Sequence, residues 1–194
     1  MRRQTSPDFE SLVEPYLNGL YRTACRLSRN PADAEDLVQD VCLAACQKLS
    51  VLRECGHPDR WLMRVLYNRF IDRQRRRDRS PVVPLFESIE PPAAVSGDAG
   101  PAELAEQGER EQAFARAFAK LEQTQRALLS LRAEGYGLAD IEDITGIGRS
   151  VLRARLHRAR QSLARHLRPD SAHEMTDPKE TNAGEMPSRL GSGQ

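Results

Sequence analysis

From Ala139 to Leu167 the chain reads ADIEDITGIGRSVLRARLHRARQSLARHL. Two helical periods meet there at a glycine, which limits the local fold to a tightly turned pair of helices. In the first, Leu138, Ile141 and Ile144 share a face; Gly146 supplies the permissive backbone of the turn, and Ile147 follows as a plug between the helices. In the second, opened by Arg149 or Ser150, the residues Leu152, Leu156, Ala159, Leu163 and Leu167 recur at steps of four, three, four and four. That spacing predicts one buried stripe. Seven arginines and no acid lie between Arg149 and Arg168, so the rest of the arc is basic.

A helix-turn-helix with such a second helix fits the major groove of DNA, where residues near the helix start meet base edges. Arg149, Ser150, Val151, Arg153 and Arg155 occupy that position, and Arg158 continues the surface. Arginine binds guanine through paired hydrogen bonds, worth about 1–3 kcal/mol of discrimination. The competing reading is a basic amphipathic helix whose charges are merely solvated.

The formal net charge is only +1 over 194 residues, but the charges are segregated. Six arginines and two aspartates lie between Arg69 and Arg79, and seven acids and one arginine between Glu87 and Glu111. Two basic blocks separated by an acidic one predict two nucleic-acid contacts on two bodies, with a connector that avoids DNA. No run approaches the roughly 18 apolar residues of a membrane span, and the N-terminus lacks the apolar core of a signal peptide, so a cytoplasmic protein is expected.

The hydrophobic spacing predicts an all-α fold of two small helical domains joined by a flexible linker. In the first domain, residues 8–79, one face is marked by Phe9, Leu12, Tyr16 and Leu20. A second is marked by Ala34, Leu37, Val38, Val41, Ala45 and Leu49, after a break at Asn30-Pro31. A third helix begins near Pro58-Asp59, carries Trp61, Leu62, Val65, Leu66 and Phe70 inward, and ends in Arg73 to Arg79. Residues 80–108 are rich in proline, small residues and acids and read as linker. Residues 109–168 form the second domain. The tail, residues 169–194, has too few large apolar residues to order itself and is expected to be disordered.

The order NPADAEDLVQDVCLAACQKL (Asn30 to Leu49), RWLMRVLYNRFIDRQRRR (Arg60 to Arg77), an acidic linker and DIEDITGIGRSVLRARLHRAR (Asp140 to Arg160) resembles an extracytoplasmic-function (ECF) sigma factor. The resemblance implies a specificity subunit of bacterial RNA polymerase, built from sigma domain two and sigma domain four. It implies that the helix bearing Asp33, Asp36, Leu37, Gln39, Asp40 and Leu43 docks on the clamp helices of the largest polymerase subunit, with further contacts to the second large subunit. An exposed acid and amide face suits a basic partner helix, with Leu37 and Leu43 as apolar anchors. The same acids also suit a solvated first turn.

The following helix is implied to melt promoter DNA. Held, unstacked bases call for aromatic or amide groups beside positive charge, and Arg60, Arg64, Asn68, Arg69 and Arg73 supply charge and hydrogen bonds at helical spacing. Trp61 and Phe70 read better as core, and Tyr67 as either. The segment Leu52 to Asp59 is the implied reader of the downstream element, held as a single strand, while the helix-turn-helix reads the upstream element as duplex. The family also commonly meets an anti-sigma factor. Three positions depart from the family pattern: Glu142 stands where a small alanine is usual, Thr145 replaces a common leucine, and Gly148 replaces a proline or serine of the turn. The first two bear on helix packing or phosphate contact.

Cys25, Cys42, Cys46 and Cys55 are expected as thiols. Cys42 and Cys46 share a helix face, with Cys55 and His57 in the loop beyond, but the spacing matches no strong zinc pattern; small apolar core residues are the plainer reading, and neither metal nor cofactor is expected. No nucleophile with a plausible base, phosphate-cradling loop or carboxylate pair of catalytic type is present, so no catalytic residue and no enzyme is expected. Two rival functions remain: a stand-alone helix-turn-helix transcriptional regulator, which predicts tight binding to palindromic duplex without polymerase, and an adaptor that binds polymerase without opening promoters.

Overall fold

The computed structural model describes residues 7–79 and 101–168. The expected tail, and residues 80–100 of the expected linker, lie outside the described residues. Among these residues there are eight helices and no strand: α1 (Pro7–Ser28), α2 (Pro31–Gln47), α3 (Leu49–Glu54), α4 (Pro58–Arg79), α5 (Pro101–Ala119), α6 (Gln123–Ala133), α7 (Leu138–Thr145) and α8 (Arg149–Leu167).

Local chemistry explains the breaks. Arg29 closes α1 in the left-handed region at φ 59°, its N–H donating to the Cys25 carbonyl at 3.0 Å. The Asn30 side chain then caps α2, accepting from the N–H groups of Ala32 (2.9 Å) and Asp33 (3.4 Å), while Pro31 occupies the first turn, where no amide is needed. The second helix stops at Gln47, before Leu49, and a separate short helix, α3, follows. Helix α5 begins at Pro101, so residues 101–108, which the composition placed in the linker, are helical.

Helix α1 packs along α2 and reaches α4, and α2 lies against α4. Leu20, Leu37, Leu52, Leu62 and Leu66 are fully enclosed between them. At about 1.5–3 kcal/mol per buried leucine, this seam is the main reason the first domain orders. In the second domain α8 packs on α5, α6 and α7 around Leu128, Leu131, Ile141, Ile144 and Leu152.

The two domains are not held apart. Helix α1 packs on α6 and α4 on α7, and one cluster of buried side chains runs from Val13 and Leu20 through Leu66 and Tyr67 to Ile144 and Leu156. The charge segregation that predicted two separate bodies does not report this seam, because the seam joins acids of one domain to arginines of the other.

Candidate nucleic-acid interface

The helix-turn-helix is built by short-range polar contacts around an apolar plug. Gly146 takes φ 71° and its N–H donates to the Glu142 carbonyl at 2.8 Å, a left-handed helix end that glycine adopts at little cost. The Thr145 hydroxyl donates to the Ile141 carbonyl at 2.6 Å and accepts from the Ile147 N–H at 3.2 Å. At the other end of α7, the Asp140 carboxylate accepts from the Gly137 N–H at 2.8 Å.

The departures at Glu142 and Thr145 therefore become parts of the turn. Gly148 offers no side chain to cap α8. Glu142 fills that role from one helix back, accepting from the Arg149 N–H at 3.3 Å and from its guanidinium. A carboxylate here also suits the partial positive charge of the helix start.

Along α8, Leu152, Leu156 and Ala159 are buried. The stripe then ends sooner than the spacing predicts: Ser162 is buried in place of a leucine, Leu163 is half-buried, and Leu167 is exposed. Among the described residues the helix outruns the body it packs on, so its last turn finds no apolar surface there to cover. Of the residues expected on the groove side, Arg149, Ser150, Val151 and Arg153 are exposed, as is Arg158. Val151 is a large apolar side chain left 44% exposed at the head of the helix. Arg155 is different: it is half-buried and close to Tyr67, whose phenol is raised by burial while Arg155 and Arg75 only partly oppose that rise.

Helix α4, expected from the resemblance to melt promoter DNA, divides into two faces. Arg64, Asn68 and Arg69 are exposed. Trp61 is half-buried against the core, and Phe70 and Tyr67 are buried. Arg60 is committed to the second domain, pairing with Asp140 at 3.0 Å and Asp143 at 3.6 Å. Arg73 turns to α2, pairing with Asp40 at 2.8 Å and Asp36 at 3.8 Å, and Arg77 pairs with Asp33 at 2.7 Å. Arg60 and Arg73 thus meet carboxylates here, where a DNA-facing position was expected. In the expected downstream-reading segment, Leu52 is fully buried within α3, which leaves Cys55, Gly56 and His57 as the loop.

On α2, Asp36, Gln39 and Leu43 are exposed, Leu43 by 53%. Asp33 and Asp40 are half-buried beneath their arginines. The expectation that Leu37 anchors a partner is corrected: it is 1% exposed, enclosed on the same inward face as Ala34, Val41 and Ala45. All four cysteines are free. Burial raises the Cys42 thiol above its ordinary value, as does neighbouring Cys46. Among the described residues no cluster suits a metal ion, and no helix is long and apolar enough to cross a membrane.

Sequence reasoning missed the contacts that close the two domains. Glu134, just after α6, accepts from Arg22 at 2.6 Å and 3.2 Å and from Arg26 at 2.7 Å. Burial alone would raise the Glu134 pKa, but these two guanidinium groups hold it below the usual carboxylate value. Tyr136 donates its hydroxyl to the Asp59 carbonyl at 3.4 Å. Burial, with help from Asp59, Glu134 and Asp140, pushes its pKa up to about 12. The spacing of Arg22 and Arg26 marks one helix face, but nothing in the chain links that face to a residue over a hundred positions away.

Comparison with known proteins gives this arrangement a family. The Sigma-70 region 2 family model matches residues 12–80, and the Sigma-70, region 4 model matches residues 111–163. The chain is 32% identical over 160 residues to the ECF RNA polymerase sigma factor SigM of Mycobacterium tuberculosis, covering 82% of this chain and 76% of that one. It is 33% identical over 144 residues to the ECF RNA polymerase sigma factor SigF of Caulobacter vibrioides, covering 74% and 75%. A solved structure of the sigma factor RpoE from Bartonella quintana, in complex with the anti-sigma factor NepR, aligns at a TM-score of 0.66 and 28% identity, covering 84% of this chain and 98% of that one. These matches span both domains in one order, which a stand-alone regulator would not require, and with them the chain belongs to the ECF sigma factors of the sigma-70 family.

Proposed function

We propose that this cytoplasmic chain docks on core RNA polymerase through α2, reads an upstream promoter element as duplex through the head of α8, and holds the opened downstream element along α4. The observation that carries the reading is the division of α8, whose Leu152, Leu156 and Ala159 are enclosed while Val151, Arg153 and Arg158 stand free of the body. Arg153 and Arg158 suit base edges and phosphates, and Val151 suits a thymine methyl group. On α2, Asp36, Gln39 and Leu43 form the docking face, a polar rim around one exposed apolar side chain. On α4, Arg64, Asn68 and Arg69 make a charged track with an amide, suited to a displaced strand. An anti-sigma factor, the partner seen in the Bartonella complex, is proposed as a further partner of this chain on its own.

The test is reconstituted transcription, with purified protein added to sigma-free bacterial core polymerase on a library of promoter fragments. Promoter-specific transcripts that disappear with Arg153→Ala support the reading. Silence with polymerase, together with tight duplex binding by the protein alone, would overturn it in favour of a stand-alone regulator.

A further inference from the structure

Arginines that come together elsewhere in the molecule hold a carboxylate, as Arg22 and Arg26 hold Glu134. Three residues on, just past the end of α1, Arg29 meets something different. Its guanidinium donates to the Ala119 carbonyl at 3.4 Å, and Arg126 of α6 donates to the same oxygen at 3.3 Å. Two cations thus share one neutral acceptor. Among the described residues neither is paired with a carboxylate.

The corner also holds unused donors. Arg126 and Gln123 are half-buried, and they stand three apart on α6, hence on one face. The Arg126 Nε and the Gln123 Nε2 are both enclosed, and neither has a hydrogen-bond partner among the described residues. Burial lowers the Arg126 pKa from the usual arginine value, and the charge of Arg29 lowers it further. Both causes act against the charged form, yet a guanidinium stays protonated at any ordinary pH. The repulsion therefore persists. An anion seated here relieves it and takes up both donors, each of which is otherwise costly to bury unpaired.

The chemistry selects the class of anion. Two fixed positive charges match a dianion, whereas a carboxylate balances only one of them. The donors come from three side chains on two segments of the chain, which suits a tetrahedral group better than a flat one. Arg29 is exposed, so the corner has an edge on solvent by which a small anion enters.

We propose that Arg29, Gln123 and Arg126 form a site for a phosphate group carried by a small ligand, either inorganic phosphate or a mononucleotide. None of the three belongs to the surfaces assigned to polymerase or promoter, and the site does not rest on that assignment.

The experiment titrates inorganic phosphate into the full chain by calorimetry and follows the thermal midpoint in potassium phosphate against potassium chloride at matched ionic strength. The variants are Arg126→Gln and Arg29→Asn, asparagine being tolerant of the left-handed backbone at φ 59°. Arg160→Gln, at an exposed arginine of α8, is the control. Phosphate several-fold above its Kd is expected to raise the wild-type midpoint by about 2–4 °C over chloride. Arg29→Asn and Arg126→Gln are each expected to weaken phosphate binding about tenfold, while Arg160→Gln stays near wild type. Circular dichroism checks the fold, and if Arg126→Gln does not fold, Arg29→Asn at the exposed edge decides alone. Equal midpoints in phosphate and chloride with no heat of binding overturn the site, as does wild-type affinity in Arg29→Asn. Acetate binding as tightly as phosphate overturns the choice of a dianion. Adenosine 5′-monophosphate distinguishes the sources: tighter binding than inorganic phosphate, lost in Arg29→Asn, supports a nucleotide, and binding no tighter supports the free anion.

Discussion

Glu142 spans the turn of the helix-turn-helix to hold Arg149, taking both its amide and its guanidinium. One carboxylate thereby starts the recognition helix and occupies the first arginine of its basic face. Glu142→Ala is expected to lower stability by about 1 kcal/mol, the usual cost of a lost helix cap, or about 2–4 °C in thermal midpoint for a chain of this size. It also frees Arg149 for a phosphate, so a plot of log affinity for duplex against log salt should steepen by about one ion. An unchanged slope would mean that Arg149 stays off the DNA.

Among the described residues Arg153 has no carboxylate neighbour of the kind that holds Arg149, and it lies one turn into α8 on the exposed arc. Arg153→Ala is expected to weaken upstream-element recognition by about 1–3 kcal/mol, while helix content and thermal midpoint stay near wild type. Base-by-base competition with altered duplexes checks this. A loss spread evenly over all sequences would reassign Arg153 from base to phosphate.

Leu37 and Leu43 separate packing from docking. Leu37→Ala should destabilise the chain by about 2–5 kcal/mol, since it empties an enclosed site. Leu43→Asp, at an exposed site, should leave the thermal midpoint within a few degrees and weaken polymerase binding about tenfold or more. Unfolding curves paired with pull-down of core polymerase distinguish the two. Equal effects on both readouts would remove Leu43 from the docking face.

Tyr136 ties the seam to alkaline pH. Its pKa in the folded chain stands near 12, above the ordinary phenol value of about 10. Folding therefore favours the protonated ring: the stability it contributes is complete below the unfolded value and lost as pH rises from that value through the folded one. Ultraviolet titration should find Tyr136 the last phenol to ionise, and Tyr136→Phe should remove that last step. A wild-type titration with every phenol ionising together near its ordinary value would contradict the buried environment.

Much of this fold was legible because helical period and turn chemistry are local. Asn30-Pro31, Pro58 and Gly146 mark helix boundaries by their own backbone requirements, and the enclosed faces of α2, α4 and α7 follow from spacing. Leu37 shows where that logic was set aside: its position on the inward face was plain, yet the docking pattern of the resembling family drew it outward as well. Arg60 and Arg73 mark a harder limit. A basic residue at helical spacing looks free to reach DNA until the fold brings a carboxylate to it, and Asp140 is distant in sequence from Arg60. The stripe on α8 overran for a similar reason, since spacing cannot tell where the opposing surface stops.

The acids of α2 carry a last consequence. Asp33, Asp36 and Asp40 already face Arg73 and Arg77 across the helix pair, so a basic partner arriving on that side exchanges one set of counter-charges for another. Its gain is the difference between two sets of ion pairs, and the salt dependence of association should be shallower than the number of carboxylates on the face suggests. Each carboxylate drawn toward the newcomer leaves an arginine on α4 without its counter-ion, and the basic end of that helix becomes a stronger attractor for phosphate as docking proceeds.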